Sequence, residues 1–268
     1  MPRARIPPVI VVFLFVDAAL ALAYLVNDLS GHPYRPLSAF LDLGRENNLP
    51  TWYASVQWFS VAMLLGLFAV RNLSPARPRS WALALLPIVC LALSLDEVSE
   101  IHEFLGKMSD GLLADGRVNS AFPRTGIWVF LLGVPFLVVM GALLVAVRGY
   151  FRRAPGALRT IAVGMAVMLT GAIGVELLSN LVEPGSRAAA LQVFSEESLE
   201  MVGATVVLWG SLELLHCHGL VLGLEAAEVT ALETRRTLAR SRPGSRLDFE
   251  DPLEPGRDGR QRWRRAAR

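Results

Sequence analysis

Six long apolar blocks, at about 9–27, 53–70, 81–96, 127–147, 160–182 and 198–221, constrain this chain more than any other feature. A helix rises 1.5 Å per residue and the hydrocarbon core of a bilayer is roughly 30 Å thick, so blocks of this length read as membrane spans. Hydrophobic residues make up 53% of the chain and arrive in runs, without the spacing of half-buried helices in water. The expected fold is an all-α, polytopic six-helix transmembrane bundle over residues 1–223. Its helices are expected at about 9–27, 53–70, 81–107, 127–147, 160–182 and 196–221, the third and sixth extended into charged flanks. Residues 224–268 are rich in Arg, Pro and Gly with little to bury, and are expected to form a disordered cytoplasmic tail near anionic lipid.

Twenty of the 26 basic residues fall at one set of helix ends: Arg3, Arg5, Arg71, Arg77, Arg79, Arg148, Arg152, Arg153, Arg159 and all those after Gly223. The opposite ends hold Arg35, Arg45, Lys107, Arg117, Arg124 and Arg187. The positive-inside bias therefore puts both termini in the cytoplasm. A formal net charge of +2 conceals this asymmetry, because acids crowd the other side. Nothing in the charge argues for nucleic acid, and the lipid bilayer is the expected partner. Cys90 and Cys217 lie in or at the end of apolar blocks, where neither suits an extracellular disulfide. The first block, with its basic start and Ala21-Leu22-Ala23, has some features of a secretory leader, but its apolar run is long for one.

Acidic residues gather where three of the blocks end. Ser94-Leu95-Asp96-Glu97-Val98-Ser99-Glu100-Ile101-His102-Glu103 follows the third. At 100° per residue, Asp96, Glu100 and Glu103 share one stripe, with Glu97 and His102 on its flanks. Glu176, Asn180 and Glu183 repeat that spacing at the end of the fifth block, which is rich in small residues (Gly164, Ala166, Gly171, Ala172, Gly174) that permit close helix approach. Glu196, Glu197 and Glu200 open the sixth, with Ser195 the expected N-cap. Solvated helix ends and acids favoured by a helix dipole are the ordinary alternatives. No Lys or Arg lies inside any of the six blocks. The deeper carboxylates, Glu176 and Glu200 above all, must then be protonated, hydrated or bound to a cation, unless Arg187 or Lys107 folds back onto them.

Asp17 interrupts the first block, where a carboxylate costs about 2.5–3.5 kcal/mol at mid-bilayer. It is expected to face the bundle, either hydrogen-bonded to a neighbouring helix or on an ion path. In Arg45-Glu46-Asn47-Asn48-Leu49-Pro50-Thr51-Trp52, Pro50 suits a first helical turn and Asn48 or Thr51 a cap, while Trp52, Tyr53 and Trp58 suit an interfacial belt. Glu46 either favours that helix dipole or reaches the acidic centre. Pro135 is expected to kink the fourth helix, which carries no ionisable residue. Glu213 and His216 have the Glu-x-x-His spacing of di-metal bundles, but no second such pair exists.

The site is therefore expected to comprise Glu97, Glu100, His102, Glu176, Glu197 and Glu200, with Asp17, Glu46, Asp96 and Glu103 as further candidates. An oxygen-rich set with one imidazole suits Mg²⁺, Mn²⁺, Ca²⁺ or a carboxylate-bridged iron pair better than a zinc site. No organic cofactor is indicated, and four histidines are too few for a histidine-rich membrane desaturase. The motifs Glu46-x-Asn48-x-Pro50-Thr51-Trp52, Ser94-Leu95-Asp96-Glu97 with His102-Glu103, and Glu196-Glu197-x-x-Glu200-Met201-x-Gly203 resemble a recurring group of uncharacterised bacterial polytopic membrane proteins. That resemblance covers about residues 9–215 and implies a bacterial inner membrane.

Three functions fit these residues. One is a metal-dependent enzyme, a hydrolase or oxidoreductase, acting on a lipid or lipid-like substrate at the outer leaflet, with His102 or Glu100 as proton carrier. Another is a proton- or cation-coupled transporter using Asp17, Glu176 and Glu200, although no inverted repeat is evident. The third is a non-catalytic interaction subunit. The first two require carboxyl groups of Glu97 or Glu100, Glu176, and Glu197 or Glu200 to converge within about 5–8 Å of one point.

Overall fold

The computed structural model describes residues 6–74, 76, 78–112 and 120–220, and among these it contains helices and no strand. The tail 224–268 expected to be disordered lies outside the described residues, as do Arg3, Arg5, Arg77 and Arg117. Six helices are long and apolar enough to cross a membrane: α1 (Pro8–Leu29), α3 (Leu49–Asn72), α4 (Pro78–Ser99), α6 (Val129–Val147), α7 (Pro155–Leu181) and α8 (Arg187–Cys217). Two short helices, α2 (Arg35–Phe40) and α5 (Ile101–Ser109), occupy the connections at the acidic end. This is the all-helical, multi-pass architecture expected of the apolar blocks.

Helix boundaries differ from expectation where side-chain capping decides them. α3 starts at Leu49 because the Asn48 side chain accepts from the Thr51 backbone N–H at 3.2 Å while Thr51 Oγ1 accepts from the Asn48 N–H at 2.9 Å. α8 starts at Arg187, with Ser186 as its cap, accepting from the Ala189 N–H at 3.2 Å. The start near Ser195 is thus displaced by more than two turns. Glu196, Glu197 and Glu200 sit well inside α8, where the dipole of its first turn does not account for them. The single helix expected over 81–107 is two, because Glu100 adopts a left-handed backbone, φ 52°.

α3 and α8 form the centre of the bundle, each with 56% of its apolar window buried against 22–28% for the other four spans. α8 packs along α7 and also touches α3 and α1, while α4 packs along α3 and meets α6. Between them lie Trp58, Val61, Phe68, Leu83, Val207 and Leu214, all nearly or wholly inaccessible. Trp58 is therefore a core residue and not part of an interfacial belt, whereas Trp52 remains exposed. The outward faces of the spans carry exposed Val, Leu and Phe, which is the surface a lipid-facing bundle presents.

The α7–α8 contact is set by glycine. A Cβ at Gly203 would fall 2.6 Å from the Met168 backbone N and 2.8 Å from the Gly164 carbonyl, and one at Gly164 would fall 2.7 Å from the Val207 backbone N. Backbone against backbone leaves no flexible atom to give way, so these helices reach van der Waals contact only without side chains there. Gly203→Val is expected to destabilise the bundle by about 1–3 kcal/mol, the usual range for overpacking. Gly141→Val, at a site with nothing within 4 Å, is expected to be neutral. Thermal unfolding of both variants in one detergent checks this.

Candidate functional site

Asp96 governs the acidic end of α4. Its Oδ1 accepts the backbone N–H of His102 at 2.8 Å and its Oδ2 pairs with His102 Nδ1, also at 2.8 Å. The carboxylate thereby satisfies a free amide at the start of α5 and fixes the imidazole through the nitrogen that must carry a hydrogen. Nε2 is left as the nitrogen turned away from Asp96. A left-handed non-glycine residue costs roughly 1–2 kcal/mol, and each hydrogen bond to a charged group contributes about 1.5–3 kcal/mol, so the two Asp96 bonds offset the strain at Glu100. Trp128 packs against the imidazole in a tilted arrangement, 5.3 Å between ring centres.

The loop before α3 brings in Glu46. Asn48 Nδ2 donates to the carbonyls of Asp42 at 2.6 Å and Arg45 at 2.7 Å, so the side chain that caps α3 also folds the preceding loop. Glu46 lies in that folded segment, with one carboxyl oxygen, Oε2, buried and without a hydrogen-bond partner. From α8 come Glu197 and Glu200. Gly171 of α7 lets them approach, since a Cβ there would fall 2.7 Å from the Glu196 carbonyl and 3.0 Å from Glu200 Cγ.

These residues meet around one cavity of about 200 Å³. One wall is polar: Glu46, Asp96, Glu97, His102, Glu197 and Glu200. The other is apolar, formed mainly by α6 and α7. No Lys or Arg is among the described residues that line it. Lys107 pairs with Glu103 at 2.8 Å on the surface, and Arg187 is exposed at the start of α8.

The expected site residues separate accordingly. Glu97, His102, Glu197 and Glu200 come together, joined by Glu46 and Asp96 from the secondary candidates. Glu100 does not reach the cavity wall, because the left-handed turn it occupies redirects it to Asn47, whose Nδ2 donates to Glu100 Oε1 at 3.2 Å. Glu103 faces solvent with Lys107. Glu176 is not among the lining residues, so the convergence expected to include it takes place without it; it makes a hydrogen bond with Glu196, whose carboxylate also accepts from Gln192 Nε2 at 2.6 Å. Asn180 is structural, accepting from the backbone N–H groups of Arg124 and Thr125, and Glu183 is exposed.

Asp17 is separate and fully engaged. Tyr53 O–H and Gln57 Nε2 donate to its Oδ1 at 2.7 and 3.0 Å, and Thr205 O–H donates to its Oδ2 at 2.8 Å. The residue is 2% exposed and ties α1 to α3 and α8. Of the two expectations for Asp17 the hydrogen-bonded one describes its surroundings, and Tyr53 and Gln57, four apart on one face of α3, are the sequence signal for its partners.

The fold and the cavity define a class: a polytopic helical membrane protein whose bundle encloses a carboxylate-lined pocket at one end. The chain belongs to the family described as domain of unknown function DUF8692, which matches residues 9–216. No curated protein and no solved structure matches it. Among the described residues, no three His, Cys, Asp or Glu side chains stand ready as a metal-coordination sphere.

Two groups outside the spans report the local field. Burial pushes the Glu46 carboxyl up to about 7, with Glu100, Glu103 and Asp96 adding to the rise against the pull of His102. Burial works to lower His102, but the hydrogen bond and charge of Asp96, aided by Glu103 and Glu46, raise it above its ordinary value. The folded protein thus holds a proton on Glu46 that the unfolded chain releases near 4.5. Stability falls as pH rises from there through about 7, and the His102 contribution, present at lower pH, is lost in the same direction. In chelator-treated protein, an infrared band of protonated carboxyl should bleach near pH 7, and Glu46→Gln should remove that band and flatten the alkaline loss of stability. An unchanged band in the variant would assign the titration elsewhere.

Proposed function

We propose that this protein is an integral membrane enzyme that binds a divalent cation in the carboxylate-lined cavity and acts on a lipid or lipid-like substrate. The observation that carries this reading is the convergence of Glu46, Asp96, Glu97, His102, Glu197 and Glu200 on one pocket with no Lys or Arg in its lining. Carboxylates so crowded in a low-dielectric site repel one another until protons or a cation neutralise them. Hard oxygen donors with one imidazole suit Mg²⁺, Mn²⁺, Ca²⁺ or iron. Glu97, Glu197, Glu200 and Glu46, with its unpartnered oxygen, would hold the ion. His102 Nε2 supplies the nitrogen ligand or the proton carrier.

A cation bound there would polarise an ester or phosphoryl oxygen and acidify a bound water. His102, whose proton affinity Asp96 raises, is suited to donate a proton to a departing oxygen and to be recharged by water. Glu100 has no such role in this scheme. The basic residues Arg71, Arg148, Arg152, Arg153 and Arg159 lie at the opposite end of the bundle, which supports an outward-facing cavity in a bacterial inner membrane with cytoplasmic termini. A coupled-ion pathway is less favoured, because three donors already occupy Asp17 and it does not line the cavity.

Purified protein is expected to take up about one or two Mn²⁺ per chain, read by electron paramagnetic resonance. Glu97→Gln and Glu197→Gln should abolish this, and Asp96→Asn should weaken it about 10- to 100-fold by releasing His102. Glu103→Gln should bind as wild type. No uptake by the wild-type protein, or equal uptake by all variants, would end the metal reading.

A further inference from the structure

We propose that the apolar half of the cavity holds the chain of a membrane amphiphile, which enters from lipid between α6 and α7 past a constriction formed by Gly133 and Ile173. The inference rests on the lipid-substrate reading above and adds to it the route, the part of the substrate that is recognised and the residues that gauge it. Beside the carboxylates the lining includes Leu132, Phe136, Met168, Leu169 and Ile173 from α6 and α7. A pocket divided in this way matches a molecule with a polar head and an apolar chain.

The apolar wall is also the boundary with lipid. α6 and α7 are among the least buried spans. On α6 the far side carries Phe130, Leu131, Val134 and Leu137, each 45–50% exposed. One helix pair therefore separates the cavity from the surrounding hydrocarbon, and that pair touches only sparsely compared with α7 and α8.

Both helices are irregular at this level. Val129–Gly133 of α6 and Thr170–Val175 of α7 are π-helical, and Pro135, just beyond the first, lacks the N–H that would bond back into it. Such segments have a weakened hydrogen-bond ladder and occur mostly where a helix is shaped for function. They face each other at Gly133, where a Cβ would meet Ile173 Cδ1 at 3.1 Å. Gly133 and Ile173 both line the cavity. The size of these two side chains sets the opening.

The test uses full-length protein in lipid nanodiscs and two single-chain phosphocholine probes, one with a straight alkyl chain and one with an isoprenoid chain, each carrying a diazirine at the chain end. Peptide mapping after illumination should find label on Phe136, Leu169 or Ile173 with at least one probe, and the probe that labels identifies the kind of chain. Gly133→Leu should reduce interior label several-fold while label on the outward residues Val134 and Leu137 stays constant, which also reports that the variant is folded. Ile173→Ala should increase interior label. Label confined to the outward residues in the wild type, or interior label indifferent to both substitutions, would overturn the proposal. Mn²⁺ uptake measured on the same samples separates the two readings. Interior label without uptake removes the metal and keeps the chain site; uptake without interior label does the reverse.

Discussion

A membrane interior offers no water to a polar side chain, so each one must find its partners within the protein. The bundle meets that constraint in two opposite ways. At Asp17 the demand is answered completely by donors from Tyr53, Gln57 and Thr205 on two other helices. The cost of placing a carboxylate at that depth thereby becomes a tie between α1, α3 and α8. At the acidic end, carboxylates from the loop before α3, from α4 and from α8 share a cavity with no Lys or Arg among its described lining residues. The first arrangement is closed, and the second crowds like charges together.

α8 links the two. Its residues Glu196, Glu200, Gly203, Val207 and Gly210 are spaced by four and three, the repeat that keeps one helix face against a neighbour. Close approach along the glycine part of that stripe holds α7 hard against α8, and the same register carries Glu200 up to the cavity. On another face, Met201 and Thr205 meet Gln57 of α3. Packing in the middle of the bundle and chemistry at its end are thus set by one helix rotation.

The sequence made the spans legible because apolar blocks bounded by charge leave few alternatives to helices in lipid. It made the acids legible as an anomaly, since carboxylates without basic partners at their own depth call for explanation. Which acids converge was less legible. Periodicity placed Glu100 and Glu103 on the stripe of Asp96, but that argument presumes an unbroken helix, and the left-handed turn at Glu100 invalidates it. The break depends on Asp96 reaching forward to His102, a tertiary choice with no periodic signature. Ser195 was a reasonable cap by residue type, yet Ser186 does the capping, and small helix-forming residues after it carry α8 onward. Glu46 was ambiguous because its neighbours have a sufficient role as a capping box. The structure shows that the same asparagine also folds the loop that delivers it.

The turn at Glu100 also bears on how the protein sits in bilayers of different thickness. A span adjusts to a thicker or thinner membrane chiefly by tilting. A rigid rod running from α4 into α5 would swing its far end by a larger arc than its middle, carrying any group there out of register. The turn at Glu100 ends α4 before α5 begins, while Asp96 and His102, hydrogen-bonded across it, keep their own spacing. Because two hydrogen bonds span the turn, the imidazole and its carboxylate travel as one unit when α4 tilts.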